Sequence, residues 1–207
     1  MDRAARMERC ILALCVVAFC VAMGLREAVN IWLGTGTAAL VAVALLRLSG
    51  NANALSLRAV SGGGVALGLA VGVAMSIATW VLYPISAELV PAIQAEVPKL
   101  YALLRQPPGP VWAFPVLVLV VAAEELVWRG LAIDVLGKTG KTLRPVLLSS
   151  LIYMLPQVAF RSPLLVLVAF LCGTVWGLLR VRTGGLAAPL VAHLVWDILV
   201  FVLFPVA

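Results

Sequence analysis

Apolar residues fill this chain in long runs separated by short polar stretches, and those runs set the expected elements. Seven of them, at about 9–25, 28–47, 59–83, 110–133, 144–160, 163–180 and 185–205, have lengths suited to crossing a bilayer as α-helix. Between the third and fourth lies ISAELVPAIQAEVPKLYALLRQPPGP, whose apolar residues recur at helical spacing between charges. It is too polar to span, which predicts an amphipathic helix on the membrane surface over 85–106, closed by Pro107, Pro108 and Pro110. Such a helix serves either as an exposed connector or as a lid over a site. The third run carries Gly64, Gly68 and Gly72, and the sixth Gly173 and Gly177. This small-xxx-small spacing predicts close packing of neighbouring helix backbones. The expected fold is an all-α, polytopic membrane bundle of about seven transmembrane helices.

Composition excludes a soluble domain. Hydrophobic residues make up 64% of the 207 and charged residues 12%, about half the globular norm of ~25%. A formal net charge of +6 would suggest nucleic acid in a soluble protein. Here the basic residues sit in short loops, so membrane orientation explains them and no nucleic-acid partner is expected. With the N-terminus cytoplasmic, the inside loops hold Arg3, Arg6, Arg9, Arg47, Arg58, Lys138, Lys141, Arg144, Arg180 and Arg182. The outside loops hold Arg26, Lys99, Arg105 and Arg161. That bias favours N-terminus in, C-terminus out. The opening MDRAARMERC resembles a signal-peptide n-region, but no small-residue cleavage site of the usual kind follows, so 9–25 is expected to remain as a helix. Cys10, Cys15, Cys20 and Cys172 have spacings that suit neither a disulfide framework nor a zinc site and read as small apolar fillers.

Ionisable residues within the apolar runs carry the candidate chemistry. Near the end of 110–133 stand Glu124, Glu125 and Arg129. A charge at the centre of a membrane helix costs about 2.5–3.5 kcal/mol on insertion scales, so three within six residues call for a reason. Glu125 and Arg129, four apart, share a helix face and are expected to pair as structural support. Glu124 points about 100° away and is left without that partner. An ion pair in the headgroup zone, with Arg129 snorkelling, is the alternative to a functional cluster. The last run adds His193, the protein's one histidine, and Asp197 four residues on, on the same face. The fifth offers Ser149, Ser150, Tyr153 and Gln157, with Tyr153 and Gln157 again four apart.

These residues carry a resemblance. EELVWRG resembles the EExxxR signature of the CAAX protease and bacteriocin-processing (CPBP, or Abi) family of type II CAAX prenyl endopeptidases. The likeness continues in order through SSLIY, FLCGTVWGLLRVRTGGLAAPLVAH and HLVWD. It implies a division into N-terminal membrane helices with the amphipathic segment (1–109) and a catalytic core (110–207). It also implies a glutamate-activated water, with Glu124 as base, and His193 with Asp197 orienting the substrate carbonyl and stabilising the oxyanion. Glu125, Arg129 and Tyr153 would support them. The family's FxxxH motif falls on Tyr153 to Gln157, where tyrosine replaces phenylalanine and glutamine replaces histidine. Gln157 still donates and accepts hydrogen bonds but does not titrate, and a general acid–base group is typically worth ~10²–10⁴-fold.

The implied function is an intramembrane endopeptidase acting on a membrane-embedded or lipid-linked peptide or protein tail, in a bacterial inner membrane. The Ala, Val, Leu and Arg bias suits a high-GC bacterium, which favours unmodified or otherwise lipid-linked substrates over prenylated ones. The competing reading is a weakened or inactive relative that binds a membrane peptide or confers immunity. A transporter would want paired repeats and discontinuous helices, which the sequence lacks. No cofactor is expected. No metal is expected either, because the chain has one histidine and no HExxH-type pair.

Overall fold

The computed structural model describes residues 3–48, 60–137 and 143–206. All of its regular elements are helical: α1 (Arg3–Gly24), α2 (Ile31–Leu48), α3 (Gly62–Leu89), α4 (Pro91–Leu104), α5 (Phe114–Glu124), α6 (Ile133–Leu136), α7 (Leu143–Tyr153), α8 (Leu155–Phe160), α9 (Pro163–Thr183) and α10 (Ala187–Asp197). Two stretches wind as π-helix, Glu125–Ala132 between α5 and α6, and Ile198–Leu203 after α10. Among the described residues, five helical spans are long and apolar enough to cross a membrane: Arg3–Gly24, Ile31–Leu48, Gly62–Leu89, Leu143–Phe160 and Pro163–Thr183, with Ala187–Leu203 a shorter apolar one. Large apolar side chains such as Leu33, Leu40, Ile77, Leu167 and Leu171 face outward, as befits helices solvated by lipid. The protein is an integral membrane helical bundle. The start of the expected third segment, with Arg58, Lys138 and Lys141 of the charge count, lies outside the described residues.

Several expected boundaries move for identifiable reasons. The third segment does not stop at Tyr83 but continues through Pro84 to Leu89, so the amphipathic helix begins at Pro91 rather than 85. Pro91 suits the first turn of a helix, where its missing N–H costs nothing. The fifth segment is not one rod: α7 ends at Tyr153 and α8 begins at Leu155. Pro156 explains this, since it lacks an N–H and its ring displaces the carbonyl four residues earlier. The fourth segment starts at Phe114 rather than 110 and turns π-helical at Glu125. Neighbours stabilise the widened turns. Ser149 Oγ donates to the Trp128 carbonyl (2.6 Å) and Arg180 Nε to the Arg129 carbonyl (3.2 Å), taking up acceptors that a π-helix leaves poorly aligned. The seventh likewise turns π-helical at Ile198.

α4 is docked rather than an exposed connector. Val97 and Tyr101 are buried. Tyr101 Oη donates to the Val200 carbonyl (2.8 Å) and accepts from Val206 N (3.2 Å). Glu96 accepts from Ser162 Oγ and from Leu164 N, and Gln106, just past α4, accepts from Ile31 N (2.8 Å). The helix is thereby tied to α2, α9 and the C-terminal π segment at once.

The expected close approaches occur at four of the five glycines. Gly68 and Gly72 of α3 lie against α10, where an added Cβ would come within 2.6 Å of the Ala188 carbonyl and 2.8 Å of the Ala192 carbonyl. Gly173 and Gly177 of α9 give room to α7, where a Cβ would sit 3.1 Å from Tyr153 Cδ1 and 2.7 Å from Val146 Cγ1. At Gly64 it would meet only the Ser61 hydroxyl.

Candidate active site

Where α5, α7, α8, α9, α10 and the C-terminal π segment converge, a cavity of about 150 Å³ forms, room for a few waters at ~30 Å³ each. Its polar wall is Glu124, Tyr153, Gln157, His193 and Asp197, with Thr35 of α2; the rest is mostly apolar, including Trp32 of α2 and Leu100, Leu103 and Leu104 of α4. α4 therefore forms one side of the cavity, and the first half of the chain contributes to its wall.

His193 is the hub. Its Nδ1 lies 2.8 Å from Glu125 Oε1, and a ring N–H there donates to the carboxylate oxygen. That leaves Nε2 facing the other two acids, 3.9 Å from Glu124 Oε2 and 3.7 Å from Asp197 Oδ1. The ring stacks on Trp176 with centroids 3.7 Å apart and planes 18° from parallel, which fixes the direction of both nitrogens. Trp176 went unrecognised in the sequence. Nothing marks one tryptophan on an apolar helix, although it falls three residues after Gly173, where α9 approaches α7.

The adjacent glutamates have different surroundings. Glu125 is 1% exposed and its Oε1 also lies 3.2 Å from Arg129 Nη1, so the expected pair forms within the π segment. Its geometry is that of a charge contact rather than a hydrogen bond, since Arg129 Nη1, Arg129 Nη2 and Glu125 Oε2 have no hydrogen-bond partner. The guanidinium is held instead over the rings of Tyr153 (4.5 Å) and Trp176 (5.1 Å), positions where ring quadrupoles attract a cation. The pair is thus enclosed by the bundle rather than exposed on its surface. Glu124 lines the cavity, and it is not without a partner as its helical position suggested: Tyr153 Oη donates to its Oε2 at 3.0 Å.

Gln157 reaches the cavity wall half-buried. Among the described residues no hydrogen bond reaches its side-chain amide. Ser149 and Ser150, in contrast, are absorbed into helix support, Ser149 at the Trp128 carbonyl and Ser150 at the Val146 carbonyl. The four cysteines are free thiols, and Cys172 lines the cavity. Among the described residues no group of three or more His, Cys, Asp or Glu is arranged to hold a metal ion.

A buried carboxylate, an imidazole and a second acid around a small cavity are the elements of water-activated hydrolysis. No curated protein and no solved structure matches the chain. One family model does, over residues 106–199, and it is described as Rce1-like, type II CAAX prenyl endopeptidase Rce1-like. The segment that contains α5, both glutamates, Tyr153, Gln157, His193 and Asp197 is therefore similar to the type II CAAX prenyl endopeptidases that this model describes.

Proposed function

We propose that the protein is an intramembrane glutamic endopeptidase that cleaves a membrane-associated peptide or the C-terminal tail of a membrane protein. The observation that carries this reading is the convergence of Glu124, His193 and Asp197 on one buried cavity. In the proposed reaction a water lies between Glu124 and the substrate carbonyl carbon. Glu124 takes a proton as the water oxygen attacks, and the carbonyl becomes an oxyanion. His193, protonated on both nitrogens, donates from Nε2 to that oxyanion, with Glu125 at Nδ1 and Asp197 beside Nε2 balancing its charge. Glu124 then passes its proton to the leaving nitrogen as the C–N bond breaks. The division of 1–109 as scaffold and lid from 110–207 as catalytic core belongs to the same reading. So does the placement in a bacterial inner membrane with the N-terminus cytoplasmic. In that orientation α4 lies on the outer face.

The second reading, a peptide-binding or immunity protein on a protease frame, draws on Gln157, an untitratable group on the cavity wall. Mass spectrometry of a deletion strain's membrane proteome separates the two. Under the protease reading one membrane protein keeps a tail that the wild-type gene removes, and Glu124→Gln and His193→Ala each fail to restore processing. Gln157→His is tolerated or raises activity. If wild type trims nothing while Gln157→His gains cleavage, the natural protein is a binder.

A further inference from the structure

We propose that Tyr153 is a positioning residue for Glu124, its hydroxyl aiming the carboxylate that faces the cavity. The ring and the hydroxyl of this tyrosine have separable roles. Trp128 and Trp176 hold the ring at centroid distances of 5.7 and 6.4 Å. The Arg129 guanidinium covers one face, and Gly173 leaves room beside Cδ1. Phenylalanine would fit that clamp equally well. None of those contacts involves the hydroxyl, whose hydrogen bond goes to Glu124 Oε2 at 3.0 Å.

Among the described residues this is the one hydrogen bond that the Glu124 side chain makes. His193 Nε2, at 3.9 Å, is beyond hydrogen-bond range, and Gln157, on the same cavity wall, makes none with it. A carboxylate in an apolar cavity with a single donor has its orientation set by that donor, because an ionised oxygen left bare in low dielectric is costly. Tyr153 thus engages Oε2 and leaves Oε1 free to hold a water. It is itself rigid, so the carboxylate inherits the rigidity of the aromatic clamp. The other cavity residue one turn along, Gln157, makes no hydrogen bond to Glu124, which leaves the phenol as the fixed donor to the base.

The activity arm of the test rests on the protease reading; the labelling arm does not. Tyr153→Phe keeps the ring clamp and deletes the donor. In a cleavage assay it lowers kcat about 10- to 100-fold, the range expected for a hydrogen bond to a charged group, with KM nearly unchanged. Adding Gln157→His places an imidazole donor on the same wall and recovers a large part of that loss. A merely structural tyrosine would instead lower folded yield, leave kcat per folded molecule alone and gain nothing from Gln157→His. The labelling arm uses dicyclohexylcarbodiimide, which modifies protonated carboxyl groups in apolar surroundings, on purified protein in detergent. Modification at residue 124, located by fragmentation mass spectrometry with Glu124→Gln as blank, rises several-fold in Tyr153→Phe and falls back in Tyr153→Phe/Gln157→His. Unchanged labelling overturns the assignment whatever the activity. Changed labelling in a protein whose wild type cleaves nothing sustains the assignment and overturns the protease reading alone.

Discussion

On one side of α10, Ala188, Ala192 and Val195 lie against the glycines of α3; on the other, His193 and Asp197 face Glu124 and Glu125. The first contact is dry and made of small atoms. Along α3, Gly64, Gly68, Gly72 and Ser76 are buried at every fourth position while most of the remaining surface faces outward. Lipid offers helices no hydrophobic gain for associating, so close backbone contact and dispersion hold such a seam together. The second contact is directional and incompletely satisfied, with three polar atoms of Glu125 and Arg129 lacking hydrogen-bond partners. A polar cluster of that kind does not hold a helix in register by itself. The difference between the two faces assigns register to the seam and chemistry to the cluster.

The largest effect is expected where the cluster is both buried and charged. Glu125→Gln removes the counter-charge of a guanidinium that is 1% exposed. Stranding one member of a buried pair typically costs ~3–5 kcal/mol. Glu124→Gln keeps an acceptor for the Tyr153 hydroxyl, and the one cationic neighbour it loses contact with, His193 Nε2 at 3.9 Å, keeps Glu125 at its other nitrogen, so its cost stays below about 1 kcal/mol. Thermal unfolding of the purified variants in detergent measures both. Equal melting temperatures would dissolve the division between a glutamate that builds the site and a glutamate that works in it.

The parts legible in the sequence share a physical origin. Length, apolar content and glycine spacing announce a helical membrane bundle with close seams, because lipid as solvent leaves few alternatives. His193 and Asp197, or Glu125 and Arg129, could be paired because four residues bring two side chains to one helix face. Relations between distant helices were not legible. The contact of Tyr153 with Glu124 spans 29 residues, and periodicity within either helix says nothing of it. The π segment was hidden as well, since the donors that satisfy its carbonyls, Ser149 and Arg180, come from other helices. Prolines show the limit of local rules most plainly. Pro156 marks a break between α7 and α8, whereas Pro84 sits within α3, which runs on to Leu89.

An intermediate effect is expected at the seam. Gly72→Ala would place a methyl group 2.8 Å from both the Ala192 carbonyl and Val195 Cβ, closer than real Cβ contacts come, with a backbone atom unable to swing aside. Overpacking of this kind costs typically ~1–3 kcal/mol. Because the seam sets the register of α10, cleavage should fall as well, although Gly72 is no part of the cavity wall. Lost stability with full activity would show that His193 and Asp197 are placed by their own contacts.

The smallest effect, at Gly64, is the sharpest test of the comparison. In the sequence Gly64 repeats the four-residue spacing of Gly68 and Gly72, and it is buried like them. Its surroundings differ. A Cβ there would meet only Ser61 Oγ at 3.1 Å, and no atom of α10. Ser61 caps α3 by accepting from Gly64 N at 3.0 Å, so a methyl group crowds a cap worth ~1 kcal/mol. Alanine in place of glycine in a helix returns about as much through propensity. The two contributions oppose each other, and Gly64→Ala should leave the melting temperature and activity close to wild type. Were Gly64→Ala as damaging as Gly72→Ala, the cost of both would lie in the backbone of α3 itself. The seam would then lose its claim to hold α10, and the register of His193 and Asp197 would have to come from the polar face.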